Sequence, residues 1–527
     1  MTSLKIQHLR LCPYTLRTEH IRELFIKFKA AGFNAVMIEY ENVFPYTDFP
    51  ELKSESTYTP EEISAIDSYA EESGIELIPK GLSFSHIDYL LKVEKYKHLA
   101  DGNGSLNLLA RESFEIICRS TENLLQFHPS SKIIHLGGDE MFNLGRAPET
   151  SDFVTRHGIS RLYVQFVNKL TERLKAEGLR IAIWSDMIIR YPEAIDEMDK
   201  DTIIFYWNYW SGAERVPFIS IGGGMTDTFM LDRSKMSGDL EKMFRVSMVK
   251  EKNELPIGHV ELFKNYWDMD DNWKSCRGFP YFSWFRDKGF DVVASMLSYP
   301  EKGSFLANMG EKNSHIKTFM KETSANSGMG FMTCCWQACW PLIESIWPSL
   351  LFAQKAHDNP LTDDDDIYKC IAEEMGDLWT QDILKKYYNL SCHFEFADIL
   401  DSFWRTTPVK ERIRWLTKAG WIEDDMARVK NVLKNADEIL NGKFSFFAGS
   451  CYEKFLVEDI EWRAECQMAC YQSNSADAAA LIAKGGRLQE RALFFIETWY
   501  RPHVSKLYIA DRYLPWFDAL RETAERV

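Results

Sequence analysis

KIIHLGGDEMFNLG (residues 132–145) joins an apolar run to two glycines and an adjacent pair of acids, Asp139 and Glu140. If the run is a buried strand, the pair stands at its carboxyl end, and the fold turns on what comes next. A hairpin would need a second alternating run at once. The sequel, MFNLGRAPETSDF, carries Gly, Pro and Asn and no period of two. The stretch therefore reads as a strand leaving its sheet through a crossover. In a regular strand His135, Gly137 and Asp139 share one face, while Leu136 and Glu140 point the other way. Both acids serve one site only if the backbone turns after Asp139, which the two glycines make cheap. The plainer alternative is that Asp139 caps a helix following Met141.

Outward from this stretch the pattern repeats. Apolar runs at 6–11, 34–40, 75–81, 132–138, 180–186, 202–208, 292–298 and 330–336 read as eight strands. Amphipathic segments lie between them. One begins at Thr18 and places Ile21, Leu24, Phe25 and Phe28 on one face; another begins with the capping box and proline of Thr59-Pro60-Glu61-Glu62. Further helices are expected at 87–99, 111–127, 158–177, 191–199 and 312–323, with FPYFSWFRDKG a candidate for another. Continuous apolar runs suit strands buried on both faces. Eight such βα units make an α/β fold of the (β/α)8 TIM-barrel type. A doubly wound open sheet is disfavoured by the count and by the lack of a glycine-rich phosphate fingerprint. Residues 209–290 exceed one connection and suggest a long loop or small hairpin. After the acidic run NPLTDDDD the chain reads as wholly helical, with Met426, Val429, Leu433, Ala436 and Leu440, then Leu456, Ile460 and Ala464, at helical spacing. The expected domains are a catalytic barrel over 1–358 and an α-helical C-terminal domain over 359–527.

Composition narrows the partners. With 62 basic and 78 acidic residues the formal charge is −16, which disfavours nucleic acid. The start MTSLKIQHLRL has no signal-peptide pattern, and no apolar run is long enough to span a membrane. Eleven scattered cysteines without framework spacing suggest reduced thiols and a cytoplasmic location. Cys392 and His393 have no second ligand pair, so no metal is expected there. The helical domain offers a surface for a partner or for a second copy in a homodimer.

GGDE strings also occur in nucleotide cyclases, at a hairpin tip holding metal and triphosphate. Here the second strand is missing and basic residues are scarce nearby, Arg146 being one candidate. By contrast, IIHLGGDE resembles the His-x-Gly-x-Asp-Glu signature of family 20 glycoside hydrolases, the β-N-acetylhexosaminidases. IEYENVFPY (38–46), LIPKGLSFSHIDYLLK (77–92), NLGR after the acids, WSDM (184–187) and YWNYW (206–210) agree with the hexosaminidase D branch. The resemblance covers roughly residues 1–355. It implies retaining, substrate-assisted hydrolysis with no cofactor or metal, an exception to the two-carboxylate scheme. Glu140 would be the general acid and base, and Asp139 would orient the acetamido nitrogen and stabilise an oxazolinium-type intermediate.

The resemblance also implies an aromatic box around the acetamido group. Trp184, Trp207, Tyr209, Tyr299 and Trp336 fall at or just past strand ends and are the candidates, with Tyr209 or Tyr299 donating a hydroxyl. His86 matches a histidine of the related motif, and His135 is expected to be a buried hydrogen-bonding support. Asp186 would hold a hydroxyl or steady a neighbour. Arg10 is the candidate for gripping the sugar. A glutamate usually follows the eighth-strand tryptophan by two positions; here Ala338 stands there, and Glu344 is the substitute. These departures keep a second reading alongside the first, a catalytically weak sugar-binding or scaffold protein on the same barrel.

Overall fold

A computed structural model of the chain describes residues 3–209, 211–222, 227–235, 249–298, 309–336, 343–376, 379–390, 408–441 and 452–525. Eight parallel strands form one sheet: β1 (Leu4–Arg10), β2 (Ala35–Glu39), β3 (Glu76–Lys80), β4 (Ile133–His135), β5 (Arg180–Trp184), β6 (Ile203–Trp207), β7 (Asp291–Leu297) and β8 (Gly330–Cys334). Their hydrogen-bonded order is β3-β2-β1-β8-β7-β6-β5-β4. The sheet thus wraps into a nearly closed barrel, as the eight apolar runs require. The strands carry Ile, Val, Met and Phe buried on both faces.

The barrel's seam lies between β3 and β4, which share no ladder. Serine side chains bridge it instead. Ser131 donates to the Leu77 carbonyl at 3.0 Å, and Ser83 to the Leu136 carbonyl at 2.9 Å. The fold is therefore least regular beside the Asp-Glu pair.

Helices follow the expected pattern over Thr18–Ala30, Pro60–Ser73, Arg111–Phe127, Ile159–Lys175, Pro280–Asp287 and Met309–Ala325. Thr59 and Glu62 close the capping box from both sides, and Gly74 ends the helix in the left-handed conformation. Three elements differ from expectation. The helix placed at 87–99 is a short helix over Asp88–Leu91 and a 3-10 stretch over Glu94–Leu99. The helix placed at 191–199 is instead a short helix over Asp186–Arg190 and a 3-10 turn over Ile195–Glu197, because Pro192 breaks the run. A helix over Pro148–His157 precedes the one at Ile159. Between β6 and β7 the chain builds small ribbons, 218–220 with 228–230 and 250–251, and 215–216 with 276–277.

By contacts the chain divides into two units. The first comprises Met1–Cys12, Ile21–Leu297 and Ser314–Cys334; the second comprises Pro13–His20, Ser298–Asn313 and Cys335–Val527. The second is helical where described. Asp363, within the acidic run, caps the helix Asp364–Met375 by accepting the Asp365 amide at 2.9 Å. Leu456, Ile460 and Ala464 are buried on the helix Tyr452–Gln472, beside a buried pair in which Arg463 donates to Asp459 at 2.8 Å. Trp462 and Trp516 are buried there, as core; Trp404 lies outside the described residues. No helix among the described residues is long and apolar enough to cross a membrane.

Candidate active site

The fourth strand stops at His135, and the chain turns earlier than expected. Gly137 and Gly138 take φ values of 75° and 82°, and Glu140 itself takes 53°. A Cβ on Gly137 would come 2.1 Å from Ser83 Oγ; one on Gly138 would come 2.4 Å from Phe84 Cζ and 2.6 Å from the Tyr163 hydroxyl. Conformation and space both demand glycine at these two positions. A left-handed glutamate costs roughly 1–3 kcal/mol and persists only where its surroundings enforce it. The next helix starts at Pro148, so Asp139 caps none.

The enforcement is explicit. The Glu140 amide donates to Asp186 Oδ2 at 2.7 Å. Tyr163 donates to the Gly138 carbonyl at 3.0 Å, and the Trp184 amide to the Gly137 carbonyl at 3.1 Å. The Gly138 amide reaches Ser85 Oγ at 3.2 Å and Ser83 Oγ at 3.3 Å. The Gly137 amide reaches His135 Nδ1 at 3.1 Å. That bond fixes Nδ1 as an acceptor, and burial, with Lys80 nearby, pushes His135 down to about 3, so it is neutral.

The loop after β3 supplies the opposing groups. His86 also takes a left-handed φ of 50°. Its Nε2 lies 3.3 Å from Glu140 Oε2 and 3.4 Å from Asp139 Oδ2. Ser85 donates to Asp139 Oδ1 at 3.1 Å. Both carboxylates therefore converge on one imidazole. Hydrogen bonding to Asp139, then to Glu140, raises His86 to about 10, making it an imidazolium at neutral pH. Burial pushes Asp139 up, but the bond and charge of His86 and the charge of Lys80 outweigh it, so Asp139 stays below its ordinary value and ionised.

Lys80 belongs to a buried polar cluster on neighbouring strands. It pairs with Glu39, whose other oxygen lies 3.0 Å from His8 Nε2. Burial pushes Glu39 up, and Lys80 with His8 overrides that, leaving it well below the usual carboxylate range. At the end of β1, Arg10 donates through Nε at 2.9 Å and through Nη2 at 2.6 Å to Glu41 Oε1. Asp186 takes the Trp207 indole N–H at 3.2 Å on its second oxygen. Burial, then the charge of Asp139, pushes Asp186 up to about 7. Trp207 and Tyr209 lie ring beside ring, centroids 5.0 Å apart and 31° from parallel. A small cavity of about 20 Å³ lies against Asp186, Trp207 and Asn208.

Residues 45–222, which include His86, Asp139, Glu140, Asp186, Trp207 and Tyr209, match the family model for the catalytic domain of glycosyl hydrolase family 20. Over these residues the barrel is similar to the catalytic domain of family 20 glycoside hydrolases. Human hexosaminidase D is 27% identical over 198 residues, 36% of this chain and 41% of that protein. Bovine hexosaminidase D is 27% identical over the same share of this chain and 57% of its own length. The chain thus spans about half the length of these curated relatives. A chitobiase structure from Flavobacterium johnsoniae shares the fold, at 15% identity with a TM-score of 0.50, covering 91% of this chain and 74% of that one.

Within the barrel, the structure brings together Asp139, Glu140, His86, Asp186, Trp207 and Tyr209. Trp184 is 1% exposed and packs against His135 at 4.5 Å and Phe205 at 6.0 Å. Arg10 is held by Glu41 as described. Trp336 is half-buried and falls in the second unit, as does Glu344, whose carboxylate pairs with His20, itself stacked on Trp499 at 5.4 Å. Tyr299 and Ala338 lie outside the described residues. Sequence reading missed Lys80, Ser83, Ser85, Tyr163 and Glu41. The spacing Ser83-Phe84-Ser85-His86, which aims alternate small donors at one face, is the signal that would have found two of them.

Proposed function

We propose that this chain is an exo-β-N-acetylhexosaminidase releasing terminal GlcNAc or GalNAc by retaining, substrate-assisted hydrolysis. The observation that carries the reading is the convergence of Asp139 and Glu140 on His86 Nε2. Two acids that meet one imidazole reach one sugar, as a single bound ring acting as its own nucleophile requires. The acetamido carbonyl oxygen attacks C1, the bond from C1 to the leaving oxygen breaks, and Glu140 gives that oxygen its proton. Ionised Asp139 faces the acetamido N–H and balances the positive charge of the oxazolinium-type intermediate. Water then attacks C1, Glu140 takes its proton, and the amide is restored. Trp207 and Tyr209 supply aromatic surface for the acetamido group. Cys12, Cys118, Cys276, Cys334, Cys335, Cys370, Cys466 and Cys470 form no disulfide among the described residues, which supports a reducing, cytoplasmic setting.

Aryl N-acetyl-β-glucosaminides and galactosaminides, beside the matching 2-hydroxy glycosides, test the mechanism. Release from the acetamido substrates alone, inhibition by a thiazoline mimic, and a fall of about 10²-fold or more in Glu140→Gln are expected. Equal rates without the acetamido group would sink it. The bonds from Arg10 to Glu41 favour one second reading, a barrel that binds the sugar without turnover. Calorimetric binding of N-acetylhexosamine with no hydrolysis would select that reading.

A further inference from the structure

Asp186 opens the short helix after β5, is 2% exposed, and spends its two oxygens on two different parts of the site. Oδ2 accepts the backbone N–H of Glu140; Oδ1 accepts the indole N–H of Trp207. The first donor belongs to a residue held in the left-handed region, where the amide's direction sets where the side chain goes. The second belongs to the aromatic wall at the end of β6. At the far end of the same helix the Arg190 guanidinium lies 4.4 Å from the centre of the Phe142 ring, two residues past the acid. The helix therefore grips the acid-bearing loop at both ends.

We propose that Asp186 is a positioning residue that ties the conformation of Glu140 to the placement of Trp207, so that the proton donor and the acetamido wall are set by one carboxylate rather than independently. The inference rests on the hexosaminidase reading for its kinetic consequence, but its structural consequence stands apart from it. Asparagine is a stringent probe. Its amide keeps one acceptor oxygen and turns an NH2 toward the other N–H, so one of the two bonds becomes a donor facing a donor.

The test is a leaving-group series on wild type, Asp186→Asn and Asp186→Ala. A misplaced acid matters most where the leaving oxygen needs a proton. Substrates with a poorly acidic alcohol leaving group should lose about 10²-fold in kcat, and a dinitrophenyl glycoside less than about 5-fold. An equal loss across the series, or none, overturns the proposal, since a merely structural role does not grade with leaving-group acidity. Hydrogen exchange of the peptide covering 139–144 gives the second readout. Faster exchange at the Glu140 amide in Asp186→Ala, with the core strands unchanged, is expected; unchanged exchange there overturns the proposal. A wild-type chain inactive on every N-acetyl-β-hexosaminide defeats the functional reading instead, and the exchange measurement then decides the Asp186 inference alone.

Discussion

Tyr163 and Gly138 are locked together: the tyrosine hydroxyl donates to the glycine carbonyl at 3.0 Å, and the glycine's α-carbon leaves that hydroxyl no room for a methyl group. Gly138→Ala therefore meets a steric and a conformational penalty at once. A loss on the order of 2–4 kcal/mol is expected, read by chemical denaturation, with a parallel collapse of any glycosidase activity. A change below about 1 kcal/mol would mean that the turn relaxes freely and is not the rigid mount described.

His86 provides a pH signature. Its pKa is raised from 6.5 to about 10 by the two carboxylates. Its stabilising contribution is fully present below its unfolded value and is lost as pH rises through about 10. The melting temperature of wild type should exceed that of His86→Asn most near pH 6, and the gap should narrow steadily towards pH 10. A gap that widens with pH would reverse the assigned charge.

Lys80 and Glu39 are buried partners. Lys80→Met strands a carboxylate in the barrel and should cost about 3–5 kcal/mol. The double variant Lys80→Met with Glu39→Gln should recover much of that in a double-mutant cycle. With Lys80 gone, Asp139 also loses a nearby positive charge, so the acidic limb of the activity profile should move to higher pH. Additive losses in the cycle would show that the two side chains do not act as a pair.

Asp101 is fully buried and holds the loop that follows the acids. Its Oδ2 accepts the Gly145 amide at 2.9 Å, and Oδ1 accepts the amides of Arg146 and Ala147 at 2.5 and 2.7 Å. Asp101→Ala orphans three donors just before the helix Pro148–His157. A loss of at least about 3 kcal/mol follows from charge-assisted bonds of this kind. Limited proteolysis should then cut within 141–147. Retention of wild-type stability and protease resistance would show that the loop holds its own shape.

The barrel was legible because its strands are short apolar runs at regular intervals, and hydrophobic periodicity survives any detail of packing. The acids were legible because Gly137 and Gly138 announce a turn at a strand end. The turn's position was not. A strand reading carries the run to Gly138, whereas the backbone leaves the sheet after His135, where the seam offers β4 no ladder partner on its β3 side. Lys80, Ser83 and Tyr163 were invisible for a related reason. Each is an ordinary residue whose role arises from the atom it meets on another segment, Glu39 for Lys80, the Leu136 carbonyl for Ser83 and the Gly138 carbonyl for Tyr163, and sequence spacing carries no such distance. Glu41 escaped because its partner Arg10 lies on another strand. The excursion between β6 and β7 was read only as a long loop or hairpin, since strands of two or three residues leave no period to detect. On the helix Ile422–Leu440, Val429 and Ala436 of the expected face are buried, but Asp425 and Asn435 are buried with them, so apolar spacing located that face only in part.

Residues 13–20 belong with the C-terminal helices. The Arg17 amide bonds the Trp499 carbonyl, the Arg501 amide bonds the Thr15 carbonyl, and Leu16 bridges Tyr500. Arg17 and its side-chain acceptor Glu497 are 480 positions apart. At about 5–20 residues per second of translation, this early-made hook waits roughly 24–96 s for its eye to be synthesised. Ribosome pausing or truncation near the far end would thus leave the link between the first strand and the first helix with its amides still solvated.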